Sequence, residues 1–209
     1  MNTLKLTLLL LTSIIALGAV EIQAQHGDQA SSGTILDALQ VHHNQSLHQM
    51  RAVWTDQNNR ELTLGDFEGR PVMVVMFYGQ CTGTCPVLIH RTWGLYQELT
   101  DSMREQVSVL AVSFDYRNDT PEALKEYAVH EKLDLPNWHF VTAGQTQIRE
   151  LAMLLGVQYR ERSDGHYEHS NLITVLDDAG HITIRDEGLK GDLAALALQL
   201  DSMFSSKLP

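Results

Sequence analysis

The segment Pro71-Val72-Met73-Val74-Val75-Met76-Phe77-Tyr78 is an unbroken apolar run of strand length. A strand with one wet face alternates apolar and polar residues, so a continuous run belongs to a strand buried on both faces. Such a strand requires a sheet covered by helices on each side. Val107 to Phe114 is a second stretch of this kind. Around these two the sequence alternates strand and helix patterns. Leu47–Thr55 and Leu62–Leu64 read as short strands about a turn at Asp56-Gln57-Asn58-Asn59. Cys85 to Met103 has helical spacing, with Leu88, Thr92, Leu95, Tyr96 and Leu99 on one side. Thr120-Pro121-Glu122 supplies a cap, a first-turn proline and a dipole-matched acid for a helix to about Lys132. Trp138–Thr142 reads as a strand and Gln145–Leu155 as a helix. His169–Asp177 and His181–Asp186 read as a hairpin turning at Asp178-Ala179-Gly180, before an amphipathic helix over Lys190–Phe204. The expected fold is α/β, a mixed sheet with helices on both faces and an N-terminal hairpin extension.

The start of the chain carries a different signal. Lys5 is followed by the largely apolar stretch Leu6–Val20, and a small residue stands at Ala24. Residues 1–24 therefore read as a signal peptide, with an uncleaved anchor as the alternative, because a spanning helix needs roughly 20 apolar residues. Membrane association is expected only through that segment, and no Cys lies near the cleavage region to take a lipid. The folded part is then exported, free in the periplasm or anchored facing it. Residues 25–45 form a polar linker, and the domain occupies residues 46–209. His26, His42, His43 and His48 fall in or just after the linker and read as solvated. Residues 1–24 hold only Lys5 and Glu21 among charged residues, so the net charge is −11 with or without them. So acidic a domain does not suit nucleic-acid binding, which needs phosphate neutralisation.

Cys81 and Cys85 are the only cysteines, and a bond between them would close almost no loop. Structural disulfides in exported domains close long loops, so this pair points to thiol or metal chemistry. It lies between a buried strand and a helix start, where free backbone N–H groups and the helix dipole favour thiolate. Gly79 and Gly83 let the loop bend, and Pro86 loses nothing by lacking an N–H in a first turn. The C-x-x-x-C spacing is one residue longer than the usual exchange motif, so both a disulfide and a shared soft ion are open to it. Paired thiolates select copper(I) or zinc. A third donor is then expected among His90, His130, His139, His166, His169 and His181. His169 is best placed if it begins a strand beside Phe77, but spacing alone does not separate it from His166.

The segment Cys81-Thr82-Gly83-Thr84-Cys85-Pro86, following Val72–Tyr78, resembles the CxxxCP signature of the Sco/SenC family of copper chaperones. Leu47–Gly69 resembles that family's opening hairpin. Val112-Ser113-Phe114-Asp115-Tyr116-Arg117-Asn118-Asp119-Thr120-Pro121 resembles its S-x-D-P-x-x-D-T-P segment. His169-Ser170, with Asp177-Asp178-Ala179-Gly180, resembles the D-H-S … D-x-x-G segment carrying the third ligand. The resemblance spans roughly residues 46–204. It implies a thioredoxin-like fold and copper held by Cys81, Cys85 and His169. It further implies delivery to the binuclear copper site of cytochrome c oxidase, with subunit II or another copper-site protein as partner. The alternative is a thiol–disulfide oxidoreductase that uses Cys81 and Cys85 to reduce the partner's cysteines. A peroxidase fits poorly, since no Pro-x-x-x-Thr-x-x-Cys loop ends at Cys81, and a structural zinc site needs four ligands. Glu168 and Tyr116 stand where the family usually has Asp and Pro, and Gly79-Gln80 and Thr82-Gly83-Thr84 replace its more usual proline-bearing residues.

Overall fold

The computed structural model describes residues 46–205. The expected signal segment 1–24 and most of the chain's early histidines lie outside them, as do the 25–45 linker and the last four residues. The strands are β1 (Trp54–Asp56), β2 (Glu61–Leu62), β3 (Val72–Phe77), β4 (Ser108–Ser113), β5 (Trp138–Thr142), β6 (Tyr159–Glu161), β7 (Tyr167–His169), β8 (Leu172–Leu176) and β9 (Ile182–Glu187). The helices are α1 (Thr84–Glu98), α2 (Asp101–Gln106), α3 (Pro121–His130), α4 (Gln145–Leu155) and α5 (Leu193–Ser205). None of the described helices is long and apolar enough to cross a membrane.

Seven strands form one mixed sheet in the order β2-β1-β5-β4-β3-β8-β9. The centre is parallel, with β3 beside β4 and β4 beside β5, while β8 runs antiparallel to β3. All six residues of β3, all six of β4 and all five of β8 are buried. The apolar run therefore lies at the middle of the sheet, as its lack of alternation requires. The N-terminal hairpin is part of this sheet, because β1 pairs with β5. Asp56 sets its turn by accepting from the backbone N–H groups of Asn58 (2.8 Å) and Arg60 (2.9 Å).

Three boundaries differ from the sequence reading. Leu47–Gln49 is a 3-10 turn with Leu47 buried, and the first strand begins only at Trp54. The helical spacing over Cys85–Met103 belongs to two helices. The carboxylate of Asp201 takes the Thr100 hydroxyl at 3.0 Å, and the Arg104 guanidinium donates to the carbonyls of Gln97 (2.9 Å) in α1 and of Leu99 (2.6 Å), which caps it. The apolar side continues across the break because Met103 in α2 is also buried. Finally, the strand expected from His169 begins at Leu172, and His169 instead closes β7. With β6 this makes a separate two-stranded sheet. The chain turns at Ser170, whose N–H donates to the carbonyl of Gln158 at 2.9 Å.

Candidate metal centre

The site forms where β3 ends at the sheet's centre and α1 begins. Thr84 and Cys85 open α1 after Gly83, and no side chain caps this end. Its first N–H groups are therefore free to meet a sulfur. The backbone N–H groups of Cys85 and Gly83 both bond to Cys81. Cys85 is fully buried, Cys81 is half-buried, and Thr82, Gly83 and Thr84 are exposed. One thiol thus sits at the floor of the site and the other at its mouth.

The loop before Cys81 is pinned from the β4–α3 connection. Asp119, buried there, accepts from the backbone N–H of Gly79 at 2.8 Å and from the Ser113 hydroxyl. A Cβ at Gly79 would lie 2.8 Å from Asp119 Oδ1, so only glycine permits this approach. Asp115 orders the same connection by accepting from Asn118 Nδ2 at 2.8 Å. The two aspartates hold the loop that borders the site.

His169 arrives from β7. The β6–β7 hairpin turns through Asp164-Gly165, with Gly165 at φ +80°, and pairs His169 with Tyr159. The ring packs 5.1 Å from that of Phe114. Its Nδ1 lies 3.0 Å from the carbonyl oxygen of Ser170 and its Nε2 lies 3.0 Å from Cys85 Sγ. A carbonyl can only accept, so Nδ1 carries the proton and Nε2 presents its lone pair to the thiols. That is the tautomer a metal needs, with its orientation fixed by the other ring nitrogen. The sulfurs of Cys81 and Cys85 and the His169 ligand nitrogen all lie within 4.8 Å of one another. Among the described residues no other trio of His, Cys, Asp or Glu converges in this way.

Burial and hydrogen bonds push the three groups in different directions. Burial opposes ionisation of Cys81, but the N–H groups of Cys85 and Gly83, the Cys85 thiol and the Tyr78 hydroxyl outweigh it and hold that thiol below its usual range. Cys85 is pushed well above its usual range by burial, reinforced by the neighbouring Cys81 sulfur. Burial lowers His169, opposed by its bond to Ser170, so the ring favours the neutral, ligating form. A soft sulfur and nitrogen donor set bordered by the exposed Thr82-Gly83-Thr84 fits copper(I), and among the described residues no fourth ligand joins it to make a closed zinc site.

The SCO1/SenC family model matches residues 41–197, about three-quarters of the chain. The chain belongs to the SCO1/SenC family. The SCO1 protein homolog of Bacillus subtilis is 26% identical over 99 residues, covering 47% of this chain and 51% of that protein. Among solved structures, Bradyrhizobium japonicum ScoI with copper bound has a TM-score of 0.62 at 21% identity, covering 72% of this chain and 96% of its own. BsSco, a member of the Sco family of cytochrome c oxidase assembly proteins in which a disulfide switch was identified, has a TM-score of 0.63 at 20% identity, covering 75% and 92%. At such identities these two likenesses speak for the shared thioredoxin-like fold.

Within this SCO1/SenC domain the histidines sort themselves. His90 and His130 both bond Glu131, at 2.7 and 2.9 Å, on the outer surface. His139 packs edge-on to Phe67, and His181 lies 3.5 Å from Asp177. His166 reaches the Tyr78 hydroxyl at 3.2 Å, leaving His169 as the nitrogen beside the thiols. Glu168, the departure next to it, turns away and pairs with Arg160 at 2.6 Å. The carbonyl of Ser170 orients His169 in its place. Tyr78, Ser170 and the β6–β7 hairpin were not anticipated from sequence. The signal for the hairpin was present in Asp164-Gly165 between Tyr159-Arg160-Glu161 and Tyr167-Glu168-His169.

Proposed function

We propose that this chain binds copper through Cys81, Cys85 and His169 and delivers it to the binuclear copper site of a respiratory cytochrome c oxidase, with subunit II as the recipient. The observation that carries this reading is the convergence of two thiols and a correctly protonated imidazole within 4.8 Å. Copper is cargo here, and three donors suit cargo. A partner ligand can approach over the exposed Thr82-Gly83-Thr84 edge and bind the ion before Cys81 releases it. The copper-bound ScoI structure supports the choice of metal, and the oxidase-assembly family of BsSco supports a role in cytochrome c oxidase assembly. The apolar start of this acidic chain fits an exported domain working in the periplasm, free or held by residues 1–24.

A second reading rests on the unequal thiols. In a reductase the Cys81 thiolate would attack one sulfur of a partner disulfide and expel the other as thiolate. Cys85 would then attack the mixed disulfide, forming Cys81–Cys85 and releasing the partner with two thiols and two more electrons. A low outer thiol and a raised, buried inner one suit that order of events. The same disulfide would empty the copper site, so the two readings share one redox switch.

Copper(I) titration of the reduced protein against a chromophoric chelator tests the first reading. One ion per chain is expected, and His169→Ala should weaken binding by more than about tenfold while leaving dithiol–disulfide exchange intact. Failure to take up stoichiometric copper rejects delivery in favour of the reductase. Unchanged affinity in His169→Ala removes that residue from the ligand set.

A further inference from the structure

The hairpin that carries His169 is not hydrogen-bonded into the main sheet, since β6 and β7 pair only with each other. Something else must hold it over the cysteine loop. Phe114 stacks on Tyr159 at 5.1 Å and meets Tyr167 at 5.1 Å, but aromatic packing allows sliding. The Arg117–Glu161 pair at 2.9 Å is half-exposed and contributes little. Directional contact comes from Tyr78. It sits at the exit of β3, three residues before Cys81, and is only 4% exposed.

Tyr78 touches both the hairpin and the cysteine loop. On the hairpin its hydroxyl lies 3.2 Å from His166 Nδ1 and its ring meets that of Tyr167 at 5.2 Å. On the loop its own carbonyl accepts from the Cys81 N–H at 3.3 Å, and its hydroxyl favours the Cys81 thiolate. A phenol has one proton and two lone pairs. With the phenol proton directed toward the Cys81 sulfur, which it helps to keep ionised, the lone pairs of Oη are left to accept from His166 Nδ1–H. The sulfur of a thiolate or metal-bound cysteine can only accept, so this assignment persists when copper is held. His166 itself is fixed by its neighbours. Its carbonyl accepts from the Arg162 N–H at 2.7 Å, and its own N–H donates to Asp164 at 3.1 Å.

We propose that Tyr78 is a positioning residue that joins the cysteine loop to the His169 hairpin, with His166 as its anchor on the hairpin side. Neither residue ligates copper. Together they set the spacing between Cys81 and His169, and so determine how tightly the site holds its ion. The inference rests on the three-ligand copper reading for its consequence, while the strut itself exists without metal. His169 holds the hairpin to Cys85 and His166 holds it, through Tyr78, to Cys81. The two histidines are three residues apart, so one rigid hairpin grips both cysteines.

Two measurements test this, on Tyr78→Phe, which keeps the ring packing, and on His166→Ala. In the reduced, copper-free protein, hydrogen exchange of the β6–β7 amides should quicken about fivefold in either variant, the effect of one hydrogen bond. The β3 and β4 amides should not change. His166→Asn, which offers an amide near the position of Nδ1, should restore slow exchange. With copper, affinity should fall about fivefold and the copper(II)–thiolate absorption should shift, and both changes should vanish when His169 is already alanine. Unchanged exchange overturns the proposal, as does an affinity loss of equal size in the His169→Ala background. If the wild-type protein takes up no copper, the delivery reading fails and the exchange measurement alone decides the strut.

Discussion

Replacing Gly79 with alanine probes the joint between the cysteine loop and the rest of the domain. The added Cβ would stand 2.8 Å from Asp119 Oδ1 and 3.4 Å from its Cγ. Gly79 is not among the residues with positive φ, so the substitution brings no backbone strain and isolates the close approach. Asp119 cannot simply swing aside, because it is 3% exposed and holds both the Gly79 N–H and the Ser113 hydroxyl. Overpacking costs about 1–3 kcal/mol, and a hydrogen bond to a charged group is worth about 1.5–3 kcal/mol. Relief of one sacrifices the other, so the two do not add, and a net loss of about 2–3 kcal/mol is expected. Urea unfolding followed by tryptophan fluorescence measures it. With a slope of about 2 kcal/mol per M, the midpoint should fall by about 1–1.5 M. Asp119→Ala should remove most of the penalty for Gly79→Ala, since the clashing group is gone. A midpoint shift below about 0.25 M, or strictly additive losses in the double variant, would refute the reasoning.

The other expectations are briefer. Iodoacetamide should modify Cys81 well before Cys85 in the reduced protein, because the outer thiol is the less buried, more acidic one; peptide mapping with equal labelling would contradict this. Burial depresses His139, with Asp56 opposing, so its folded pKa lies below the unfolded value of about 6.5. Between those values the unfolded chain binds the extra proton, and stability should decline as pH falls below about 6.5. His48 and His169 act in the same direction. His139→Phe should make that decline shallower in urea titrations at a series of pH values, and an unaltered slope would assign it to other groups.

The strand–helix order and the covered sheet were legible because burial leaves a local trace. Val72–Phe77 has no polar face to show, and Thr120-Pro121-Glu122 announces a helix start whatever packs on it. The cysteine pair was legible from its position and isolation, which pointed to thiol or metal chemistry. The helix break at Thr100 was not, since it depends on Asp201, a hundred residues away in sequence. The choice of histidine was legible only through the resemblance of His169-Ser170 to the family's D-H-S segment, not from spacing. His166 and His169 are equally good ligands in a line of letters. They differ only when β6 and β7 fold back, bringing Nε2 of His169 to 3.0 Å from Cys85 and leaving His166 on Tyr78. Local propensity and hydrophobic pattern fix elements, which depend on near neighbours. The protonation of a ring and its distance from a sulfur 84 residues away in sequence depend on tertiary contacts, and only the folded chain decides them.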